Sequence, residues 1–154
     1  MKKGMFSTEM NAMKDSIFID SNVWVYLFSA DDENKRSIAD QFIKINGNTN
    51  TFVISYQVIN EVTNILIKKK FSESNIRDLV MLLSSICIIQ NYSKDIVLLA
   101  SSLREKHFFS FWDSHIVASA ITAKCTLLAS EDMHDGFVVD GMTIKNIFAA
   151  ACPG

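Results

Sequence analysis

Four acidic side chains, far apart in the sequence, are the residues of this chain that are best suited to chemistry. They are Asp20, Glu61, Asp113 and Asp132. Carboxylate oxygens are the ligands that hard divalent cations such as Mg²⁺ and Mn²⁺ prefer. Several carboxylates repel one another unless a cation lies between them. If the fold brings these four together, their convergence predicts a divalent metal site.

The predicted elements place all four acids where convergence is feasible. Asp20 and Asp132 each follow a short apolar run that is typical of a buried strand. Asp113 begins a helical segment, and Glu61 lies within a helix that starts from another strand, so that its long side chain can reach back. In an open α/β sheet, ligands bind just beyond the carboxyl ends of the strands. The four acids are therefore expected at that edge.

Apolar runs alternate with helical periodicity along the chain, which predicts the α/β class. The predicted strands are 17–19, 51–54, 86–89 and 126–129, and the segment 137–148 reads as mostly extended. This alternation favours a mainly parallel central sheet of four or five strands flanked by helices on both faces. We predict a flexible N-terminal extension over residues 1–15 and a single domain over 16–154.

Composition limits the function classes. The 154 residues are 49% hydrophobic, with five glycines and one proline, which predicts a substantial core rather than disorder. The net charge of −2 is not that of a simple nucleic-acid-binding protein. However, acids clustered around divalent cations would hold much of the negative charge locally, so a polyanionic substrate stays compatible with this composition.

Hydropathy and cysteine usage predict a cytoplasmic protein. No apolar run approaches the roughly 18 residues that a membrane-spanning helix needs. The three cysteines, Cys87, Cys125 and Cys152, are scattered and lack the spacing of metal ligands. This pattern is typical of free thiols in a reducing compartment.

Four short blocks, taken in order, resemble the PIN-domain family, particularly the VapC-like toxins of type II toxin–antitoxin pairs. The first is Ile-Asp-Ser-Asn-Val, with an aspartate that closes a strand, and the second is Asn-Glu-Val, with a helical glutamate. The third is Trp-Asp-Ser-His-Ile-Val-Ala-Ser-Ala, and the fourth is Leu-Leu-Ala-Ser-Glu-Asp-Met followed by Asp-Gly. The blocks occupy 19–23, 60–62, 112–120, and 127–133 with 135–136, and the resemblance extends over 17–148.

This resemblance implies a PIN-like fold and a metal-dependent endoribonuclease with Mg²⁺ or Mn²⁺ as cofactor. It also implies an RNA substrate, a homodimer, and a small antitoxin whose C-terminal segment blocks the site. Asp20 and Asp113 would bind metal, and Glu61 and Asp132 would complete the ligand set or hold water. The ionised water would attack the phosphodiester in line, leaving 5′-phosphate and 3′-hydroxyl ends.

Several polar residues next to the four acids each have two possible roles. Asn22 and Ser130 are candidates to orient a ligand or contact phosphate, or else to cap the adjoining turns. In the fourth block, Glu131 and Asp135 are alternative ligands to Asp132, and Glu131 is the more exposed candidate by position.

The aromatic segment 108–112 permits two interpretations. Aromatic rings can stack on nucleobases, although such a cluster more commonly lies in a core or a dimer face. His115, two residues after Asp113, should point to another helix face as a surface or hydrogen-bonded histidine. His134 lies in the polar turn near the fourth block, where a substrate contact is an alternative to simple exposure.

Two other function classes compete with the nuclease. A PIN-like module could bind RNA or a protein with little turnover, and substitution of Asp20 or Asp113 would then leave function unchanged. A phosphatase or phosphoacceptor domain also uses an aspartate at a strand end. However, the phosphatase pattern needs a second aspartate where this chain has Asn22, and the third strand runs into Gln90 and Asn91 without an acid.

Overall fold

The computed structural model describes residues 14–149. The predicted N-terminal extension lies outside the described residues except for Lys14 and Asp15, as does Cys152. The strands are β1 (Ser16–Ile19), β2 (Thr51–Ser55), β3 (Cys87–Gln90), β4 (Leu127–Ala129), β5 (Val138–Val139) and β6 (Met142–Lys145). The helices are α1 (Ser21–Phe28), α2 (Glu33–Gly47), α3 (Tyr56–Lys68), α4 (Glu73–Ile86), α5 (Lys94–His107) and α6 (Phe111–Thr122).

One sheet organises the described chain, with strand order β3-β2-β1-β4-β6-β5. Every neighbouring pair is parallel except β5 with β6, which is antiparallel. The predicted α/β class with a mainly parallel sheet is confirmed. The sheet has six strands, however, rather than the four or five predicted.

The additional strand comes from a hairpin within the segment that was predicted to be mostly extended. Asp140 and Gly141 both have positive φ, of 47° and 76°, between β5 and β6. Two consecutive positive φ values define the tight turn that suits the twist of a two-residue hairpin, and Asp-Gly is a preferred sequence for it. The Asp-Gly dipeptide was therefore a signal from which this reversal could have been predicted.

Burial explains why β1 lies at the centre. Phe18 and Ile19 are fully buried, and β1 pairs with β2 on one side and β4 on the other. Strands buried on both faces read as continuous apolar runs, as this one does. Trp24, on the first turns of α1, is also fully buried and stacks on Phe28.

The direction in which successive strands are added to the sheet reverses after β3, so that β1 and β4 lie side by side at the switch point. The chain first adds β2 and β3 on one side of β1, and then β4, β6 and β5 on the other. Because parallel crossovers are right-handed, opposite directions of travel place the connecting helices on opposite faces. Beyond the carboxyl ends of β1 and β4, this reversal leaves the crevice in which ligands bind in open α/β sheets.

Helix α6 begins earlier than its sequence pattern predicts. The helix was expected to start after Asp113, but it begins at Phe111 and has Ser110 as N-cap. The Ser110 hydroxyl accepts a hydrogen bond of 3.2 Å from the Asp113 backbone N–H. This is the ordinary geometry of a serine N-cap. Asp113 is therefore the third residue of the helix.

Within residues 14–149, no helix is both long and apolar enough to cross a membrane. Cys87 and Cys125 are buried free thiols, and burial raises the pKa of each to about 12. Both thiols therefore stay protonated at neutral pH, as expected of cysteines that serve packing.

Candidate active site

Asp20 is positioned by the junction of β1 and α1. Its backbone N–H donates to the Ala129 carbonyl at 2.9 Å, which continues the β1–β4 ladder past the strand end. Its carboxylate then caps α1, accepting from the Ser21 N–H at 2.7 Å on one oxygen and from the Ser130 hydroxyl at 2.7 Å on the other. The side chain is thus fixed from both central strands.

Glu61 approaches Asp20 from α3 and is linked to it through Ser21. The Ser21 hydroxyl donates to one Glu61 oxygen at 2.8 Å, and Gln57, one helical turn before Glu61, donates to the other at 2.8 Å. Gln57 also donates to the Trp112 carbonyl at 3.3 Å. This amide connects α3 with the start of α6. Sequence reasoning did not single out Ser21 or Gln57, although their spacing from Asp20 and Glu61 was a local signal.

Asp132 completes the group from the loop after β4. Its carboxylate accepts a hydrogen bond of 3.3 Å from the Asn22 side-chain amide, whose oxygen accepts from the Glu131 N–H at 3.3 Å. Asn22 therefore connects the first turn of α1 with the loop that carries Asp132. Asp132 itself is exposed, in contrast to the buried Asp20.

The four acids influence one another electrostatically. Burial, partly offset by the Ser130 hydrogen bond, raises the pKa of Asp20 to about 6, and the charges of Glu61 and Asp113 add to the rise. Burial also raises the pKa of Asp113, with contributions from Asp132 and Glu61. Each acid is thus within electrostatic reach of at least one other.

No cation of the described chain neutralises this group. The four ion pairs found between residues 14 and 149 use other carboxylates, those of Glu131, Glu33, Asp40 and Asp31. Like-charged carboxylates without a basic partner favour binding of a cation from solution. The arrangement is therefore a negatively charged crevice at the switch point of the sheet.

Two further candidates of the fourth block have other contacts. Glu131 forms an ion pair with Lys35, whose amino group also donates to the Tyr26 hydroxyl at 3.1 Å. Asp135 accepts from the Asn146 N–H at 2.8 Å and so fastens the segment after β6. The structure thus gathers Asp20, Glu61, Asp113 and Asp132, and it gives Glu131 and Asp135 structural partners instead.

The donor set fits a hard divalent cation by its chemistry. All four side chains offer oxygen ligands, and Asp20 keeps lone pairs free because each of its oxygens accepts one strong hydrogen bond. Across the described residues, no three acidic, histidine or cysteine side chains are grouped tightly enough to form a complete metal-binding set.

Two clefts adjoin the acidic group. The first, of about 390 Å³, contains Asp113 and Asp132 in its wall. The second, of about 560 Å³, contains Glu61. The remaining lining residues are His107, Phe108, Phe109, Ser110, Met133, His134 and Phe137 in the first cleft, and Gln57, Asn60, Asn64 and Trp112 in the second.

The aromatic residues at the end of α5 and the start of α6 are largely exposed. Phe108, Phe111 and Trp112 are 90%, 52% and 63% exposed, so of the two expected placements, a core or a dimer face, the core is wrong for these three. Phe109 alone packs against the core. The start of α6 at Phe111 explains the difference, because the helix carries Phe111 and Trp112 on its solvent side.

His115 also differs from its prediction. It is buried among the rings of Tyr92, Phe111 and Trp112, with ring centroids 4.5 to 6.2 Å away. Neither ring nitrogen has a hydrogen-bond partner among the described residues. Burial, with a smaller contribution from Arg104, lowers the pKa of His115. It is thus an uncharged packing residue rather than a surface or hydrogen-bonded one.

Comparison with known proteins gives one family. The PIN domain family model matches residues 17–135, which include all four acids. No curated protein sequence is significantly similar to this chain.

Among the solved structures with a similar fold are three from different bacteria. VapC20 from Mycobacterium tuberculosis, a toxin that cleaves the sarcin–ricin loop, is 18% identical over 88% of this chain and 95% of that chain, with a TM-score of 0.62. VapBC2 from Rickettsia felis, bound to a DNA fragment from its promoter, is 19% identical over 85% and 98%, with a TM-score of 0.65. A toxin–antitoxin complex from Klebsiella pneumoniae is 24% identical over 85% and 97%, with a TM-score of 0.66.

Proposed function

The chain belongs to the PIN domain family, and we propose that it is a divalent-metal-dependent endoribonuclease that acts as the toxin of a toxin–antitoxin pair. One observation carries the proposal. Carboxylates from four separate elements influence one another electrostatically at the switch point of the sheet, and none of them is paired with a cation within the described residues.

Asp20, Glu61, Asp113 and Asp132 are the residues that would hold Mg²⁺ or Mn²⁺. When bound, such a cation supplies the Lewis acidity that ionises water near neutral pH and offsets the charge that develops on the phosphate. The chain's own contribution is orientation. Ser130 and Ser21 fix Asp20 and Glu61, and Asn22 holds Asp132, so the carboxylates are positioned before substrate arrives.

RNA and an antitoxin are the proposed partners because the solved structures with a similar fold are those of toxins and toxin–antitoxin complexes. The M. tuberculosis structure is that of an RNA-loop-cleaving toxin, and the R. felis and K. pneumoniae structures are toxin–antitoxin assemblies. A homodimer is proposed from the resemblance to VapC-like toxins, and a cytoplasmic location from the free thiols Cys87 and Cys125. A PIN-like module that binds RNA without turnover is the alternative that the experiment must separate.

The test is a cleavage assay on mixed cellular RNA with Mn²⁺, Mg²⁺ or chelator. We expect metal-dependent fragments with 5′-phosphate and 3′-hydroxyl ends, because water rather than the ribose 2′-hydroxyl is the proposed nucleophile. Asp113→Asn should abolish cleavage, since it keeps the size of the side chain but removes its charge.

Asp78→Asn is the matched control, because Asp78 is an exposed aspartate on α4 away from the crevice and its change should leave cleavage intact. Fragments with 2′,3′-cyclic phosphate ends would contradict the proposal, because they would indicate base catalysis, for which His107 and His134 in the first cleft are the candidates. RNA binding without turnover would instead favour the binding module.

A further inference from the structure

We propose that the two clefts beside the acidic crevice each receive an unpaired nucleobase, one on each side of the bond to be cut. Phe108 would stack on one base and Trp112 on the other. The inference rests on the proposed function and deepens it. The two bases that flank the cut would be turned apart, one into each cleft.

The two clefts lie on either side of the acidic group. Asp113 lies in the wall of the first cleft, and its neighbour in sequence, Trp112, lies in the wall of the second. Consecutive helical residues point about 100° apart, so the start of α6 separates the two clefts. Glu61 faces the second cleft and Asp132 the first, which puts the acidic group between two aromatic walls.

Phe108, in the wall of the first cleft, has an unfavourable backbone conformation and an exposed ring. It has φ of 60° and is 90% exposed, although it caps α5 by donating its N–H to the Arg104 carbonyl. A left-handed conformation is unfavourable for a residue other than glycine, and an exposed phenylalanine ring recovers little of that cost by burial. Strained, exposed residues of this kind cluster at ligand-binding sites.

Trp112 gives the second platform. Its indole is 63% exposed, and its backbone carbonyl is held by Gln57, which also binds Glu61. The platform is therefore connected to a carboxylate of the crevice through one amide. Gln57, Asn60 and Asn64 line the same cleft and offer donors and acceptors suited to the edge of a base.

Polar and basic groups favour RNA over a protein as the occupant. His107, in the last turn of α5, lines the first cleft, and Lys106 precedes it on the same exposed turn, so that both can contact phosphate beside the cut. An apolar protein partner would leave the amides of the second cleft unpaired. Aromatic platforms combined with basic and amide groups are the usual arrangement for unpaired RNA.

Tryptophan fluorescence tests the inference directly. The chain has two tryptophans, of which Trp24 is fully buried and Trp112 is exposed, so a stacking base should quench only Trp112. The probe is an unstructured ten-nucleotide RNA, compared with the same backbone lacking bases and with the same RNA in a duplex. Titrations are done in chelator and again with Asp20→Asn in Mg²⁺, so that the RNA stays intact.

We expect quenching by the single strand, and little by the abasic or duplex RNA. Trp112→Phe should remove the quenching signal, and Phe108→Ala should weaken binding by about 5- to 160-fold, the range for loss of one base–aromatic stack. Ile45→Ala is the control, because Ile45 is 71% exposed near the end of α2. The chain there leads into the start of β2, so Ile45 lies toward the amino ends of the strands, away from the crevice at their carboxyl ends.

Equal quenching by abasic and normal RNA, or no quenching in either condition, would overturn the inference. A Trp112 signal that changes with protein concentration alone would also overturn it, since that face would then bind a second copy. Quenching in a protein that never cleaves RNA would support the inference while the proposed nuclease fails. Cleavage without base-dependent quenching would do the reverse.

Discussion

Asp20 shows at the scale of one residue how position creates reactivity. Its carboxylate is 6% exposed and has a pKa raised to about 6, yet it accepts hydrogen bonds from Ser21 and Ser130 that favour its charged form. Burial works against that charge and the two donors support it. The balance leaves a carboxylate that gains most by meeting a cation.

Asn22 should act as a positioning residue. Its amide holds both Asp132 and the Glu131 N–H, so Asn22→Ala frees the loop that carries Asp132. We expect cleavage to fall about 10- to 100-fold, the usual effect of losing a group that orients a metal ligand. The cleavage rate should be recovered in part at higher Mn²⁺ concentration, which a structural defect would not allow.

The control for this change is Asn50→Ala. Like Asn22, Asn50 is half-buried and donates a hydrogen bond from its side-chain amide, in this case to Asn46. It directly precedes β2 and so lies at the amino ends of the strands, away from the crevice. Its loss should leave cleavage unchanged. Equal losses from both variants would mean that Asn22 matters to stability and not to the site.

Helix α6 shows how an element sets the geometry of the site. Its N-cap, Ser110, bonds the N–H of Asp113, so the cap and the functional acid belong to one turn. Ser110→Ala should cost about 1 kcal/mol of stability. It should also lower cleavage, because the turn that presents Asp113 loosens. Thermal unfolding and RNA cleavage measure the two effects.

Ser72→Ala provides the comparison. Ser72 caps α4 in the same manner, bonding the Asn75 N–H at 3.1 Å, and α4 contributes no residue to the acidic crevice. A similar loss of stability with unchanged cleavage is expected. Cleavage that falls equally in both variants would show that global stability, and not the local cap, controls the activity.

Local patterns predicted most of these elements and fewer of their details. Apolar runs identified the strands that carry Asp20 and Asp132, because buried parallel strands are apolar throughout. The early start of α6 was missed because Phe111 and Trp112 read as an apolar connector, although Ser110 was a cap signal. The hairpin at Asp140 and Gly141 was missed because its strands are too short for an alternating pattern.

The candidate site was predictable in its acids but not in their partners. Carboxylates at strand and helix ends can be recognised from the sequence alone. Contacts such as Ser130 with Asp20, or Lys35 with Glu131, join residues roughly a hundred positions apart. Only the order of the strands brings such residues together, and no local pattern encodes that order.

At the scale of the whole molecule, the buried charge of Asp20 should make stability depend on pH. The carboxyl has a pKa of 3.8 in the reference state and about 6 when folded, so the folded state holds its proton more tightly. Its contribution to stability is present below about pH 4 and is lost as pH rises through 6. At about 1.4 kcal/mol for each pH unit, the loss is up to about 3 kcal/mol.

Asp20→Asn should remove this dependence in the metal-free protein. Denaturant unfolding of parent and variant at pH 4 and pH 7 gives the change in the free energy of unfolding. From pH 4 to pH 7, we expect the free energy of unfolding of Asp20→Asn to rise relative to that of the parent by up to about 3 kcal/mol. The free energy of unfolding of Asp78→Asn should change with pH as the parent's does. A constant difference between parent and Asp20→Asn would refute the proposed cost of the buried charge.

The rate of RNA cleavage as a function of Mn²⁺ concentration, in the parent and in Asp20→Asn, tests the central claim most directly. If the four carboxylates act together on a divalent cation, the parent rate rises from zero in chelator to a plateau, and the variant stays at background throughout. Cleavage of the same size in both proteins, or cleavage that persists in chelator, would contradict the assignment of this crevice as the active site.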